Sequence, residues 1–367
     1  NRKKDCIIFV VINLSPRVIK IAEALRKSGK KVILYLNENM KQLIWKTNID
    51  SLNIKVHFFK YVEELMFYLL RTRGEVIHIF SHVSEPYVAY ILVKFQKHFG
   101  KIIFENYDIA NGFYTNVEEP LLKLEQYCLE NARGISYREF SLEYLTDVLN
   151  FKIQGKSISF FDFCSGEKIS SLKENNSKEL SICYSGYVIT EDEYADCPHG
   201  GFVKIADNCE KNRCHLHIYP SVWDENRFRK YIEMNNNYKY FHFHKTVPYE
   251  KLLNEIAQYD YGMIPASDDM WDKECSGYNT KYKYIYAATN KFFDYMEAGL
   301  PIIAAFPLKM AQCLEKIGVL INWTNGEYDF QYLLKMKAIM HDRVLKEREK
   351  FKIEHQINRL IEFYDLI

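Results

Sequence analysis

Lys291 and Asp294, one helical turn apart, open a segment whose residue types suit a phosphate and a sugar. The run 289–304 reads Thr-Asn-Lys-Phe-Phe-Asp-Tyr-Met-Glu-Ala-Gly-Leu-Pro-Ile-Ile-Ala. Thr and Asn at its start and Gly-x-Pro near its end predict a short helix, followed at once by a buried strand. The amino end of such a helix presents free amides and a partial positive charge, which suits a pyrophosphate. Lys291 adds a full charge there, and Asp294 can accept hydrogen bonds from vicinal hydroxyls such as those of a ribose. Taken without context, both side chains also fit helix-end charges on a solvated surface. Cys197, His199, Cys209, Cys214, His215 and His217 form a second concentration of reactive types, for which zinc is the matching cation. The 209–214 spacing is looser than a compact knuckle, and His215 and His217 alternate along an expected strand. No metal site is expected. Ser267, Asp268 and Asp269 read as solvated loop rather than as an acidic metal motif.

Such residues need a scaffold that ends strands beside helix starts, and the hydrophobic pattern provides one. An unbroken apolar run at 6–12 predicts a parallel strand covered on both faces. Ser15 as N-cap, Pro16 at the first helical position, and Val18, Ile21, Ala22 and Leu25 on one face predict a helix that stops at Gly29. Strands at 32–36, 76–80, 102–104, 134–137 and 157–163 alternate with helices at 62–71, 86–98, 118–132 and 142–149. The polar stretch 165–178 then reads as an interdomain linker. A second alternation places strands at 180–188, 215–219, 240–244, 261–264, 302–306 and 319–322, with helices at 248–259, 290–298 and 308–317 between them. The stretch 266–288 is expected to be a long functional loop without regular structure, and 330–367 is helical by spacing. The chain therefore reads as α/β: a Rossmann-like domain over 1–164, a linker over 165–178, a second such domain over 179–345, and a C-terminal helix over 346–367 that packs back on the first domain. Ligands of open parallel sheets bind outside the carboxyl ends of the strands, so the residues just after each apolar run are the informative ones.

Composition narrows the function classes. With 48% hydrophobic and 26% charged residues, a largely disordered chain is excluded. The 49 Lys and Arg against 48 Asp and Glu leave +1, so no global basic field holds nucleic acid. Nine cysteines without a repeated framework suit reduced thiols and a cytoplasmic location. The longest apolar runs are strand length, so no bilayer span is expected.

Several segments, taken in order, resemble the GT-B glycosyltransferases, particularly the family 4 group. The 290–304 segment is similar to that family's Lys-Leu-Phe-Glu-Tyr-Leu-Ala-Ala-Gly-Lys-Pro-Val-Ile-Ala segment. Residues 243–265, with Thr246-Val247-Pro248-Tyr249 and Ala257-Gln258-Tyr259-Asp260-Tyr261-Gly262-Met263-Ile264-Pro265, resemble its strand, Gly-x-Val-Pro-type loop, helix and Ala-Asp-Val-x-Val-x-Pro strand. Tyr184-Ser185-Gly186 looks like the glycine turn that opens the C-terminal domain, and 125–136 resembles a segment near the end of the N-terminal one.

The resemblance implies two Rossmann-like domains facing a cleft and a hexosyltransferase-like enzyme of polysaccharide biosynthesis. It implies transfer from a nucleotide-diphosphate sugar, with a UDP-sugar as the expected donor, to a hydroxyl of a glycan, lipid-linked or protein acceptor. It also implies that no metal and no resident cofactor take part, and a lipid-linked acceptor would bring peripheral association with the inner face of a membrane. Asp294 corresponds to the acid on the donor ribose, Lys291 to the basic residue of that helix, and Gly186 to the turn near the diphosphate. Lys245, Thr246 and Val247 match the loop abutting the nucleobase, Pro265 the end of the family's proline-terminated strand, and Asn290 the helix start. Lys281 and Lys283 are further cations for the leaving diphosphate. In the Glu-x7-Glu form of the motif the first acid holds the donor sugar, and here Tyr286 stands at that position. For an inverting reaction the base is expected from the first domain, with Asp108 ahead of Glu105 and His82. Arg17 and Glu85 are expected to hold the acceptor, Arg17 alternatively a donor phosphate. A noncatalytic nucleotide- or sugar-binding protein, or a sugar epimerase or phosphorylase, is the alternative on the same fold.

Overall fold

The computed structural model describes the chain except for residues 1–2, 13, 39–52, 73, 83–85, 107, 166–178, 189–201, 266–279, 305–307 and 323–328; the side chains of 3–5, 250, 280, 281 and 284 also lie outside the described set. Glu85, the 165–178 linker beyond Ser165, the pair Cys197 and His199, the acidic run at 268–269 and the Lys281 side chain therefore lie outside the described residues.

Seven strands form the first sheet: β1 (Lys3–Val11), β2 (Lys31–Asn37), β3 (Lys55–Phe59), β4 (Gly74–Ser81), β5 (Lys101–Asn106), β6 (Gly134–Tyr137) and β7 (Lys156–Ser159). They pair in the order β3-β2-β1-β4-β5-β6-β7, every pair parallel. Six more form the second: β8 (Ser181–Gly186), β9 (His215–Pro220), β10 (Phe241–Phe243), β11 (Tyr261–Ile264), β12 (Ile302–Ala304) and β13 (Leu320–Asn322). Their order is β10-β9-β8-β11-β12-β13, again all parallel. The winding reverses between β1 and β4 in one sheet and between β8 and β11 in the other. Those reversals are where an open parallel sheet offers a crevice.

The apolar runs explain the central strands. From Cys6 to Ile12 every side chain is buried, as are those of β12. Helices cover both faces, so no polar alternation is tolerated, and each fully buried Ile, Val or Phe contributes roughly 1.5–3 kcal/mol. The chain divides into two compact units, 1–162 with 353–367, and 163–352. The helix Ile353–Leu366 belongs to the first unit: it packs on the helix Pro16–Lys27, and Tyr364 Oη lies 2.8 Å from His78 Nδ1 on β4. The return to the first unit thus falls at Ile353 rather than at 346.

Several elements differ from the sequence reading. The expected helix 86–98 is two, Pro86–Lys94 and Gln96–Phe99, and the second ends at Gly100. The stretch 142–149 is one short helical turn, Ser141–Glu143, running into a π-helix, Tyr144–Val148. β7 stops at Ser159 because the carbonyls of Phe160 and Phe161 turn to accept from Arg17. The stretch 266–288 holds a helix, Thr280–Tyr286, so it is not irregular throughout. Among the described residues no helix is long and apolar enough to cross a membrane.

Candidate functional site

In the second unit the reversal between β8 and β11 is held open by one side chain. The two strands pair only at Tyr261 with Ile182 and Gly262 with Cys183, and beyond that point they part. Tyr295, fully buried on the helix Asn290–Glu297, fills the gap: its hydroxyl donates to the Met263 carbonyl at 3.0 Å and lies 3.2 Å from the Ser185 N–H. One hydroxyl satisfies a donor and an acceptor that the ladder leaves out, and an unpaired buried backbone group costs about 1–3 kcal/mol. Gly262 makes room, since a Cβ there would sit 2.3 Å from the Tyr295 ring.

Tyr295 sets the helix so that Lys291, one turn earlier, lies at the carboxyl edge of the sheet. The Lys291 ammonium is 5.4 Å from the centre of the Tyr184 ring, and its Cε would be 2.5 Å from a Cβ on Gly186. Gly186 ends β8 with φ +142, a conformation that L side chains rarely adopt. The glycine turn, the lysine and the helix start are thus one assembly at the carboxyl edge of the sheet, and an ammonium beside a helix start suits an anion. Thr289 is the N-cap residue but makes no side-chain cap bond. Asp294 is half-buried rather than sealed in the core, and its Oδ1 accepts from Tyr249 Oη at 2.9 Å.

The loop 245–248 follows β10. Thr246 Oγ1 donates to the Pro220 carbonyl at the end of β9 at 3.0 Å, which ties that loop to the same edge. Val247 is half-buried, Lys245 exposed, and Pro265 buried immediately after β11. Lys283 is half-buried on the helix Thr280–Tyr286. Tyr286, at the position of the missing acid, has the Lys309 ammonium 4.4 Å from its ring centre. Gly186 and Lys291 therefore meet at the β8/β11 reversal, with Asn290 opening the helix and Asp294 one turn further along it, and Thr246 borders the edge from the β9 side.

In the first unit two expectations are overturned. Arg17 and Glu105 are both buried and bind each other in a fork, Nε to Oε1 at 2.8 Å and Nη2 to Oε2 at 3.0 Å. Arg17 also donates to the Phe160 and Phe161 carbonyls and faces Asp162 Oδ1 at 3.4 Å. Ser136 Oγ donates to Glu105 Oε2 at 2.5 Å. Burial would raise the Glu105 carboxyl, but the Arg17 guanidinium overrides it and holds the group well below the usual carboxylate range. Glu105 is therefore a poor base, and Arg17 has no donor to spare for an acceptor or a phosphate. Both are structural.

Asp108 differs, being only partly buried. Its Oδ2 accepts from Tyr114 Oη at 2.7 Å, and Arg138 Nη2 lies 3.4 Å from Oδ1. Its loop is anchored by Glu125, which accepts from the Ala110 and Asn111 amides at 2.8 Å each and from the Asn106 and Asn111 side chains. Gly112, with φ +78, admits the Tyr144 hydroxyl to within 1.8 Å of where a Cβ would be. The residue reading missed Glu125 as a positioning group, although it opens the resembling 125–136 segment. His82 is half-buried just after β4. Near the β1/β4 reversal, Ser15 Oγ and Ser81 Oγ are buried and have no hydrogen-bond partner among the described residues; Ser15 thus caps the helix through its carbonyl alone, with no side-chain cap bond.

No protein-family model and no curated protein matches the sequence. Solved structures do. Trehalose-6-phosphate synthase OtsA superposes with a TM-score of 0.63 at 10% identity over 98% of this chain and 99% of that one. The E. coli trehalose-6-phosphate structure bound with UDP-2-fluoro glucose gives 0.62 at 11% identity over 99% of each chain. UDP-GlcNAc 2-epimerase from Methanocaldococcus jannaschii gives 0.56 at 12% identity over 98% of this chain and all of that one. Likeness of this kind speaks to architecture: the chain has the α/β GT-B fold, built on two doubly wound parallel sheets.

Proposed function

We propose that this chain is a glycosyltransferase that moves a sugar from a nucleoside-diphosphate sugar, a UDP-sugar in the first instance, to a hydroxyl of a glycan, lipid-linked or protein acceptor. The observation that supports this most is the assembly of Lys291 on Gly186 at the start of the helix Asn290–Glu297, beside the β8/β11 reversal. As the glycosidic bond to the diphosphate breaks, negative charge grows on the leaving oxygen. The Lys291 ammonium and the helix-start amides are fixed in place to receive it. Lys281 and Lys283 are further cations in this reading. Asp294 accepts from ribose hydroxyls, with Tyr249 holding one of its oxygens. Thr246 and its neighbours border the base. In the first unit, Asp108 takes the proton of the acceptor hydroxyl, its carboxylate oriented by Tyr114 Oη at 2.7 Å and Arg138 Nη2 at 3.4 Å.

A second reading, sugar epimerisation, is favoured by Tyr286 at the position of the donor-sugar acid and by the epimerase among the fold neighbours. Turnover separates the two. UDP-glucose and UDP-GlcNAc are incubated with the protein with and without glycan acceptors, and the products are resolved by chromatography. Donor consumption that requires acceptor supports transfer, and an epimerised sugar without acceptor supports the second reading. If none of UDP, GDP, ADP, TDP and CMP raises the thermal midpoint, the donor site itself is wrong, because a ligand at a hundred times its Kd stabilises by about 2.7 kcal/mol.

A further inference from the structure

On the face of the second sheet opposite the one that packs on Leu216 and Ile218, four imidazoles stand in two adjacent rows. The β9/β10 register sets His217 beside His242, while His215 lies two residues earlier on the same face of β9 and His244 follows β10. His217 and His242 stack with ring centres 4.3 Å apart, and His217 also stacks on Tyr259 at 4.3 Å. His215 Nδ1 lies 2.8 Å from His242 Nε2, and His217 Nδ1 lies 3.0 Å from His244 Nε2.

We propose that His215, His217 and His242 form a binding site for a divalent d-block cation, Zn2+ being the first to test. One ring nitrogen from each lies within 4.8 Å of the others, and all three side chains are half-buried. Glu179 fixes the tautomer of His215: its carboxylate is acceptor-only, so the 3.0 Å contact with Nε2 places the proton there and leaves the Nδ1 lone pair facing His242. A carboxylate behind the distal nitrogen is the arrangement that orients metal-binding histidines. Tyr240 Oη, 3.2 Å away, holds the same carboxylate.

In the metal-free state His242 Nε2–H donates to His215 Nδ1. Moving that proton to His242 Nδ1 leaves two lone pairs facing one another, with no proton lost overall. A cation between them at about 2.0–2.1 Å from each nitrogen requires the pair to widen from 2.8 Å to roughly 3.3 Å at a tetrahedral angle. The stacked ring of His217 tilts to supply the third nitrogen. β10 is an edge strand, so the cation can enter from solvent. An all-nitrogen set selects Zn2+, Cu2+ or Ni2+ over the oxygen-seeking Ca2+ and Mg2+.

The cysteines that a sequence reader would add do not belong: Cys209 and Cys214 are buried among Leu216, Ile218 and Phe241 in the core on the other face. The partner they displaced, His242, lies 27 residues from His215 and joins it only through strand pairing. The inference is independent of the donor site, whose residues it does not use.

The test is calorimetric titration of the chelator-stripped full chain with ZnCl2, alongside visible spectra of the Co2+ form. One equivalent should bind with a micromolar or tighter Kd, and Co2+ should show the d–d bands of nitrogen coordination. His242→Gln and His217→Gln should each weaken Zn2+ at least tenfold while keeping the far-UV circular dichroism and thermal midpoint seen in EDTA. Glu179→Ala, at an exposed second layer, should weaken it about 10–100-fold. Cys313→Ala, at an exposed thiol, should change nothing. Absence of Zn2+ binding by the parent, wild-type affinity in folded His242→Gln, or loss of binding in Cys313→Ala would each overturn the proposal.

Discussion

A charge is useful to a leaving diphosphate only if it cannot swing away, and Lys291 is restrained on two sides, by the Tyr184 ring and by the glycine surface of Gly186. Lys291→Ala should therefore weaken UDP far more than uridine, by about 10–100-fold, the range of a charge-assisted contact. Asp294→Ala should weaken both ligands alike, because a ribose contact is common to them. Calorimetry with the two ligands reads the difference, and equal losses for UDP and uridine in Lys291→Ala would remove the charge assignment. Gly186→Ala should reproduce part of the Lys291→Ala defect. The added methyl can be relieved by moving the flexible lysine tip, but that moves the charge, and the backbone at φ +142 stays strained. At this scale the sequence was informative where spacing fixes an element, as with the helix that carries Lys291 and Asp294. It was misleading where only the residue type was visible. From the sequence Glu105 reads as just past a strand and Arg17 as a helix start, so both look available for catalysis, whereas Glu105 lies within β5 and Arg17 in the helix Pro16–Lys27. Nothing local reveals that they lie 88 residues apart in the chain yet bind each other in a dry interior.

The elements were legible because period-two and period-3.6 patterns survive in a single sequence, while their ends depend on partners far away. β7 is shorter than its apolar run because two carbonyls beyond it serve Arg17, a contact some 144 residues distant. The helix of 290–297 was recognisable, but the reason it sits correctly was not, since the Tyr295 hydroxyl works on strands that begin 114 and 34 residues earlier. Tyr295→Phe keeps the ring on Gly262 and removes only the hydroxyl. It should cost about 1–3 kcal/mol in denaturant titrations by removing the buried hydrogen bonds to the Ser185 N–H and the Met263 carbonyl. It should also weaken UDP, since the helix carrying Lys291 loses its anchor to both strands. A stability loss with unchanged UDP affinity would separate Tyr295 from the site. In the first unit, Glu125→Ala should lower turnover through Asp108 by releasing four hydrogen bonds on the 106–111 loop.

At the scale of the molecule, the first unit is closed by residues from both ends of the chain, joined through one buried polar chain. Asp162 faces Arg17, Arg17 grips Glu105, and His78 stands between Glu105 and Tyr364 of the terminal helix, with His78 Nε2 3.5 Å from Glu105 Oε2. That closure makes the unit acid-sensitive in a defined direction. Burial pushes the His78 imidazole below its ordinary 6.5 despite the nearby Glu105, so the folded unit prefers it neutral. Its contribution is complete above about pH 6.5 and declines as the pH falls below that value. Glu105 is held well below its ordinary 4.5, so its contribution is complete above about pH 4.5 and declines further below it. The thermal midpoint should thus be flat above neutrality, fall gently below about pH 6.5 and fall more steeply below about pH 4.5. Glu105→Gln leaves the buried Arg17 guanidinium with only the longer 3.4 Å contact to Asp162 as counter-charge, which costs up to about 3–5 kcal/mol at pH 7 and removes the steeper limb. Scanning calorimetry of the parent and this variant between pH 3 and 8 measures both effects. A parent midpoint that rises on acidification, or a variant whose acid limb matches the parent's, would mean that this buried chain does not govern the stability of the unit.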